Sequence, residues 1–391
     1  MSGVGLPALA RWTAMFRIVG QASSPFAAVI GEITTERVPF YDRHDRILLT
    51  NKIDMGCTGY LAVFSTAPPE NKFFLPYMVG KINGDDMVHL KHGDIASVSG
   101  TGEVFILWEK DSQQNSLMLT EACNCRCIMC PQPPKKHDPA LFNVAVRTLD
   151  LLKGKSVANI CITGGEPTII SDSFLKILYR CHTEHPKAQI SILTNAKKFS
   201  DSVFAREVAK LSQGNDIFCV SLHSDIAEIH DNIVGVPGSY DETSAGVYNL
   251  ARYCIPVEIR HVVTKQNYTR LCEFSEHMYR YFPFCAHYAL MSMEICGLAN
   301  DNMDSIYIDP ADYKSELRKA TLALYKRGLH VSIYNTPLCL CHEDIRVFSR
   351  QSISSWKNIH IDECSTCKEK DNCCGFFSTS SVRSSHIAPI Y

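Results

Sequence analysis

The sequence predicts an α/β protein: a partial (β/α)6 barrel of the TIM type, with a β-rich region before it and a cysteine-rich extension after it. From residue 117 onward, short apolar runs alternate with segments of helical spacing. Several of these runs end in polar or glycine-rich turns. Serial βα units of this kind indicate a parallel sheet. The pattern changes twice along the chain, so we expect three regions, at residues 1–112, 113–300 and 301–391.

The first region is predicted to be β-rich, because short apolar runs alternate there with clusters of Gly, Pro, Asn and Asp. The runs cover residues 47–50, 60–64 and 104–108. No motif in this region indicates a chemistry. The last region is predicted to begin with a helix over residues 310–326 and a strand over residues 331–334.

The central region supplies the predicted barrel. Strands are expected at residues 116–120, 157–163, 190–195, 217–223 and 257–263, and helices at 139–153, 173–182, 203–211 and 240–253. Residues 271–281 and 285–294 are expected to form one further helix–strand pair. Ligands of such folds bind at the carboxyl ends of the strands. Several polar groups fall at such ends, so we expect one site there: the loop after residue 120, the turn Gly164-Gly165-Glu166, Asn195 and His223.

Composition narrows the class of protein. The net charge of -2 gives no electrostatic argument for binding nucleic acid or an anionic membrane. No 18-residue apolar run predicts a spanning helix, and Arg11 and Arg17 interrupt the apolar N-terminal stretch in a way that does not fit an export signal. We therefore expect a cytoplasmic protein.

Eighteen cysteines in this setting indicate metal or cluster binding rather than a disulfide scaffold. Most of the chemistry is expected at two cysteine groups. The scattered cysteines outside these groups lie in apolar surroundings and are expected to be buried thiols, namely Cys161, Cys181, Cys219, Cys254, Cys272, Cys285 and Cys296.

The first cysteine group has the spacing C-x3-C-x2-C, formed by Cys123, Cys127 and Cys130. Iron–sulfur clusters are usually held by four thiolates. Three thiolates on one loop would leave one iron open, and an open metal position is where chemistry takes place. The alternative is a closed zinc site that recruits Cys125 as its fourth ligand.

This spacing resembles the signature of the radical SAM superfamily. The resemblance implies a [4Fe-4S] cluster on these three cysteines, with S-adenosylmethionine chelating the open iron and yielding a 5′-deoxyadenosyl radical that removes hydrogen from carbon. The turn Gly164-Gly165-Glu166-Pro167 matches the Gly-Gly-Glu element of the family. That element implies that Gly164, Gly165 and Glu166 hold the methionine amino group, with Glu166 counted among the catalytic residues.

Other nucleotide contacts are implied less directly by the same resemblance. Asn195, Ser221 and His223 would contact the ribose or the carboxylate, and Arg260 would pair with the methionine carboxylate. Met129 stands where the family usually places an aromatic residue near adenine. Alternatively, the strand-end residues are polar groups whose hydrogen bonds are made within the protein. The alternative for Arg260 is a salt bridge within the protein.

The second cysteine group is formed by Cys339, Cys364, Cys367 and Cys373. It resembles the auxiliary-cluster extensions (SPASM or twitch-like) of peptide-modifying radical SAM enzymes, which implies a second iron–sulfur cluster. A structural zinc site would use the same ligands and stays open as an alternative. Cys341 and Cys374 could replace their neighbours as ligands.

The sequence around both cysteine groups resembles that of the C-type radical SAM protein of His-Xaa-Ser repeat peptide maturation systems. The resemblance rests on LTEACNCRCIMCPQPP, PLCL and CCGFF. It implies a ribosomally made peptide or protein substrate and a second radical SAM partner protein, and we expect an electron donor such as flavodoxin or ferredoxin. The first region could then dock the substrate's leader by adding a strand to a sheet edge. Alternatives are a radical SAM enzyme acting on RNA or a small molecule, and a zinc-stapled peptide-binding scaffold without turnover.

Overall fold

The computed structural model describes residues 17–70, 72 and 76–391. Residues 1–16, which carry most of the stretch used against an export signal, lie outside the described residues. The chain divides into two compact units. The first contains the described residues between 17 and 120 with 137–163 and 179–188, and the second contains residues 121–136, 164–178 and 189–391. In the described part of the chain, no helix has the length and apolarity needed to cross a membrane.

The first unit is built on an eight-stranded mixed sheet, which confirms the β-rich prediction for this part of the chain. The strand order is β1-β8-β7-β3-β4-β5-β6-β2. The strands are β1 (Arg17–Val19), β2 (Gln21–Ala22), β3 (Val29–Thr34), β4 (Arg46–Leu49), β5 (Ala62–Phe64), β6 (Tyr77–Gly80), β7 (Ile95–Val98) and β8 (Glu103–Trp108). A short helix, α1 (Gly84–Met87), follows β6. The core of the sheet includes Ile33, Ile47, Phe64 and Val104.

The same unit contains the first parallel pair, β9 (Ser116–Met118) and β10 (Asn159–Thr163). Helix α2 (Pro139–Leu152) connects them. It begins where the sequence favours a helix start: the Asp138 carboxylate accepts the N–H of Ala140, and Pro139 occupies the first turn. β9 leads directly into the first cysteine loop, and β10 leads into Gly164.

The second unit holds a parallel run of strands that lie side by side in chain order. They are β11 (Gln189–Thr194), β12 (Ile217–Ser221), β13 (Val257–Val262), β14 (His287–Met291), β15 (Val331–Tyr334) and β16 (Ser349–Arg350). Their middle residues are buried on both faces, as expected for parallel strands. Among the described residues, β16 pairs only with β15, so the sheet is open and not a closed barrel.

Helices separate most of these strands. They are α3 (Ser171–Glu184), which begins in the second unit and ends in the first, α4 (Ser202–Leu211), α5 (Ala227–Val234), α6 (Ser239–Arg252), α7 (Leu271–Tyr281), α8 (Leu298–Asp301), α9 (Met303–Ile306) and α10 (Lys314–Lys326). In the cysteine-rich extension, β17 (Asn358–Ile359) pairs antiparallel with β18 (Phe376–Phe377). β15 and β16 continue the parallel sheet beyond residue 300, where the sequence suggested a boundary.

The scattered cysteines do not share one environment. Cys181, Cys219 and Cys285 are buried, as predicted. Cys161, Cys272 and Cys296 are partly exposed. The prediction is wrong for Cys254, which is exposed because it lies in the turn after α6 with a positive φ of 57°.

Candidate functional site

The first cysteine loop is fixed by the end of helix α5. The N–H of Arg126 donates to the carbonyl of Val234, and the N–H of Ile128 donates to the carbonyl of Ile233, both at 2.9 Å. The last carbonyls of a helix have no partner within the helix, so the loop satisfies them. Gly235 then ends α5 with φ at 71°, and a Cβ at this position would lie 2.6 Å from the Arg126 carbonyl oxygen. The end of α5 therefore sets the position of the loop.

A second anchor holds the other end of the loop. The N–H of Leu298 donates to the carbonyl of Cys130 at 2.9 Å, and the Asn302 amide donates to the carbonyl of Ile128 at 3.0 Å. Met129 is buried in an apolar cluster with Ile233 and residues of α8 and α9. This placement favours a packing role for Met129 over the predicted adenine contact.

The three motif thiols differ from Cys125 in exposure. Cys123, Cys127 and Cys130 are partly exposed, whereas Cys125 is buried and accepts a contact from the Asn195 amide at 3.5 Å. The neighbouring Cys125 side chain and burial raise the pKa of Cys123, and burial raises the pKa of Cys130. Among the described residues, no three His, Cys, Asp or Glu side chains surround a single-ion position. The Cys125 thiol also interacts with the thiols of Cys123 and Cys127, so exposure alone separates it from the three motif thiols.

The glycine-rich turn contacts the cysteine loop directly. The N–H of Glu166 donates to the carbonyl of Ala122 at 2.8 Å. A Cβ on Gly165 would collide with the same carbonyl oxygen, so this close approach requires glycine. The two motifs that sequence reasoning selected therefore meet in space.

The side chain of Glu166 faces the protein interior. Its Oε1 accepts from the N–H of Thr168 at 3.2 Å, and from the hydroxyls of Thr168 and Thr194 at 2.7 Å each. Its Oε2 accepts from the N–H of Asn195 at 2.7 Å. The residue is 1% exposed, and burial raises its pKa although four donors oppose the shift. The Glu166 side chain is thus held inside the protein, and Gly164 and Gly165 are the partly exposed residues of the turn.

Asn195 joins the end of β11 to the cysteine loop. Its Nδ2 donates to the Asn124 side-chain oxygen at 2.7 Å, and its carbonyl accepts the Thr243 hydroxyl at 2.9 Å. The cysteine loop, the turn and the end of β11 therefore form one connected cluster. The predicted strand-end residue Ser221 is partly exposed at the end of β12.

His223 lies in a buried histidine group that sequence reasoning missed. Its ring is stacked on His230 with centroids 5.8 Å apart, and the centroid of His261 lies 6.4 Å away. Its Nδ1 accepts the N–H of Val262 at 3.4 Å, and burial lowers its pKa well below the ordinary value. The structure gives His223 a packing and hydrogen-bonding role. The signal was the second histidine seven residues on, inside the stretch between residues 223 and 240 to which the sequence assigned no element.

Arg260 is salt-bridged within the protein, the alternative that its sequence context left open. Its Nε pairs with the carboxylate of Glu258 on the same strand. Glu258 also accepts from Nδ1 of His287 at 2.7 Å, and these partners, opposing its burial, lower its pKa to about 2. The guanidinium lies 5.9 Å from the ring centroid of Tyr334.

The C-terminal cysteines surround one cavity. The cavity is lined by Cys339, Cys364, Cys367 and Cys373. Cys341 and Cys374 are buried, and neither lines this cavity. The hydrogen bond from the Cys374 thiol lowers the pKa of Cys373 to about 6, which favours the thiolate form that binds metals. Four thiols on one cavity match the ligand number of a four-cysteine cluster or zinc site, although the described side chains do not converge on a single-ion position.

Comparison with known proteins finds a family match in the central segment of the chain. The family model for the Radical SAM superfamily matches residues 117–277. An uncharacterized protein of Methanocaldococcus jannaschii is 31% identical over 166 residues, which are 41% of this chain and 57% of that protein. The mycofactocin maturase MftC of Mycolicibacterium smegmatis is 32% identical over 166 residues, 42% of this chain and 41% of the maturase. The chain thus spans about half the length of these relatives.

Solved structures show a weaker likeness. SuiB of Streptococcus suis bound to S-adenosylmethionine has a TM-score of 0.45 at 19% identity, covering 56% of this chain and 49% of SuiB. Native anSMEcpe with bound AdoMet and a Cp18Cys peptide has a TM-score of 0.43 at 18% identity, covering 56% of this chain and 62% of that one. The family match rests on the sequence: residues 117–277 of this chain match the family model of the radical SAM superfamily.

Proposed function

We propose that this chain is a radical SAM enzyme that modifies a ribosomally synthesised peptide or protein of the His-Xaa-Ser type. The observation that carries the proposal is the connected cluster of the cysteine loop, the Gly164-Gly165-Glu166 turn and Asn195. The similarity to a protein named as a maturase supports a peptide substrate. The sequence motifs around both cysteine groups support a substrate of the His-Xaa-Ser type.

The residues present fit the cofactors of this chemistry. Cys123, Cys127 and Cys130 would hold a [4Fe-4S] cluster, because they are the partly exposed thiols of the loop. S-adenosylmethionine would lie against the backbone of Gly164 and Gly165, where a glycine allows the turn to approach the loop. Together, these cofactors supply a 5′-deoxyadenosyl radical that removes hydrogen from a substrate carbon.

The chain's own residues position these groups. Glu166 fixes the turn against the end of β11 through two of its four hydrogen bonds, those from Thr194 and Asn195, and Asn195 holds the loop at Asn124. Fixed geometry of this kind is what a protein contributes when cofactors carry the difficult step. Arg260 and Ser221 share a register position on neighbouring strands, and we propose them as further polar groups of this site.

The four cysteines of the C-terminal cavity would hold a second iron–sulfur cluster, as an electron relay or a substrate anchor. We further propose a cytoplasmic enzyme that works with a second radical SAM protein and receives electrons from a flavodoxin or ferredoxin. These partners follow from the motif resemblance and from the need to reduce the first cluster.

Anaerobic reconstitution with iron and sulfide, followed by reduction with S-adenosylmethionine, tests the enzyme. We expect 5′-deoxyadenosine and methionine, and about eight iron atoms per chain for two four-iron clusters. Zinc without iron, and no nucleoside product, would contradict the proposal and support a scaffold. Replacing Cys123, Cys127 or Cys130 by Ala should abolish the product while iron remains at the C-terminal site.

The substrate class needs a separate experiment. A peptide encoded by a gene next to that of this protein would be co-expressed with it. The peptide would then be analysed by mass spectrometry, with the Cys127→Ala variant as the matched control. A mass change that depends on Cys127 supports the peptide substrate. An unmodified peptide, with active 5′-deoxyadenosine formation, would point to RNA or a small molecule instead.

A further inference from the structure

Residues 387–390, here called the 387–390 strap, line one wall of the C-terminal cysteine cavity. The N–H of Ile390 donates to Sγ of Cys367 at 3.4 Å, and its carbonyl accepts the N–H of Lys368 at 2.9 Å. The backbone of Ala388 forms a hydrogen bond with the thiol of Cys339. The strap is therefore tied to two of the four cysteines that line the cavity.

The sequence of the strap explains how it reaches two sulfur atoms. Ala388 precedes Pro389, and a residue before proline is biased towards extended backbone. In extended backbone, residues two positions apart direct their N–H groups to the same side. Pro389 has no N–H, so the intervening position leaves no donor to satisfy. Ala-Pro-Ile thus presents two donors, from Ala388 and Ile390, on one side.

A third sulfur receives a backbone donor from elsewhere. The N–H of Leu338 donates to Sγ of Cys373 at 3.4 Å. All four cavity cysteines thus have a backbone partner, two of them from the strap and one, Cys364, from Ile361. Ile387, Ala388, Pro389 and Ile390 also place apolar atoms on the cavity wall.

We propose that the 387–390 strap is part of the environment that tunes and shields the C-terminal iron–sulfur cluster. This inference rests on the proposed second cluster. Hydrogen bonds to cluster sulfurs and solvent exposure both set the reduction potential of a cluster. The N–H groups stabilise negative charge on sulfur, so they favour the reduced cluster and raise its potential. The apolar wall slows the entry of water and chelators.

The strap offers a matched pair of variants. Ile390→Pro removes the N–H donor, whereas Ile390→Ala shortens the same side chain and keeps the donor. Both would be made in the full chain with Ala at Cys123, Cys127 and Cys130, so that only the C-terminal cluster contributes to the signal. The midpoint potential would be followed by electron paramagnetic resonance, and the loss of iron to a chelator by absorbance.

We expect the Ile390→Pro variant to have a more negative midpoint potential than the Ile390→Ala variant, and to lose iron several-fold faster. Equal potentials and equal iron loss would overturn the role of the strap and leave the cluster standing. Absence of iron from the parent chain would overturn the second cluster, and the strap with it. Ala388→Pro against Ala388→Ser repeats the comparison at Cys339 if the first proline variant does not fold.

Discussion

The N–H of Ile128 donates to the carbonyl of Ile233 at 2.9 Å, which ties the first cysteine loop to the last turn of helix α5. Arg126 and Val234 repeat this contact at the same distance. Because helix ends leave carbonyls without partners, a short helix can serve as a fixed support for a ligand loop. The position of the three thiols therefore depends on where α5 ends.

Replacing Gly235 by Ala should displace the cysteine loop. The new Cβ would lie 2.6 Å from the carbonyl oxygen of Arg126, at a φ of 71°. We expect 5′-deoxyadenosine formation to fall roughly 100-fold, the effect of an ångström-scale misplacement of reacting groups. Iron at the C-terminal site should be retained, and iron analysis with product assays would check both expectations.

Gly238→Ala is the matched control for this change. Gly238 has a similar φ of 77°, but a Cβ added there would meet no atom within 4 Å. Both variants carry the strain of a left-handed residue, about 1–2 kcal/mol, and only Gly235→Ala adds the collision. Equal activity in the two variants would show that the Arg126 contact does not matter.

Replacing Glu166 by Gln should destabilise the protein. The Glu166 carboxylate accepts four hydrogen bonds in a buried place, and an amide NH₂ would face donors there. Leaving buried donors unpaired costs about 1–3 kcal/mol, which would be measured by urea unfolding. The control Thr168→Val removes one donor and should cost about 1 kcal/mol. Unchanged stability with weakened S-adenosylmethionine binding would instead support the ligand contact expected from the sequence.

The strands were largely predictable, whereas the direction of Glu166 was not. The strand over residues 331–334 has the predicted bounds, because a short β-branched and aromatic run between turns has few alternatives. The partners of Glu166 include Thr194 and Asn195, which are 28 and 29 residues away. A strand-end carboxylate looks the same in the sequence whether it points to a ligand or to such donors.

Helix α5 was missed for a local reason. It has eight residues and no side-chain cap at its start, so neither length nor capping marks it. Its end was marked by Gly235, but a single glycine also fits a turn. The contact between α5 and the cysteine loop could therefore be recognised only in the three-dimensional structure. The loop itself was predicted from the spacing of its cysteines.

Acidification should weaken the fold through the buried histidines. Burial lowers the pKa of His230 and His261 to about 4 each, below the ordinary value near 6.5. Between these values the unfolded chain binds more protons than the folded one. The free energy of unfolding should therefore have its full value above pH 6.5 and decrease as the pH drops towards 4. Urea unfolding from pH 7.5 to 5 would measure this slope.

The variant His230→Gln separates this effect from general acid denaturation. It removes one buried titrating group, so the slope of unfolding free energy against pH should become shallower. His44→Gln, at a histidine whose side chain is 75% exposed, is the control for losing a histidine from the surface. An identical slope in the wild type and the His230→Gln variant would show that His230 is not responsible.

Two buried cysteines of the extension provide a test of the ligand set. Cys373 is 8% exposed and Cys341 is 0% exposed, but only Cys373 lines the cavity with the other three thiols. Replacing Cys373 by Ala should remove the second cluster, about four of the eight iron atoms expected. Replacing Cys341 by Ala removes a thiol of the same kind from the neighbouring core, so iron content should stay at its full value. Iron analysis of the two reconstituted variants would decide the assignment, and the reverse result would make Cys341 the ligand.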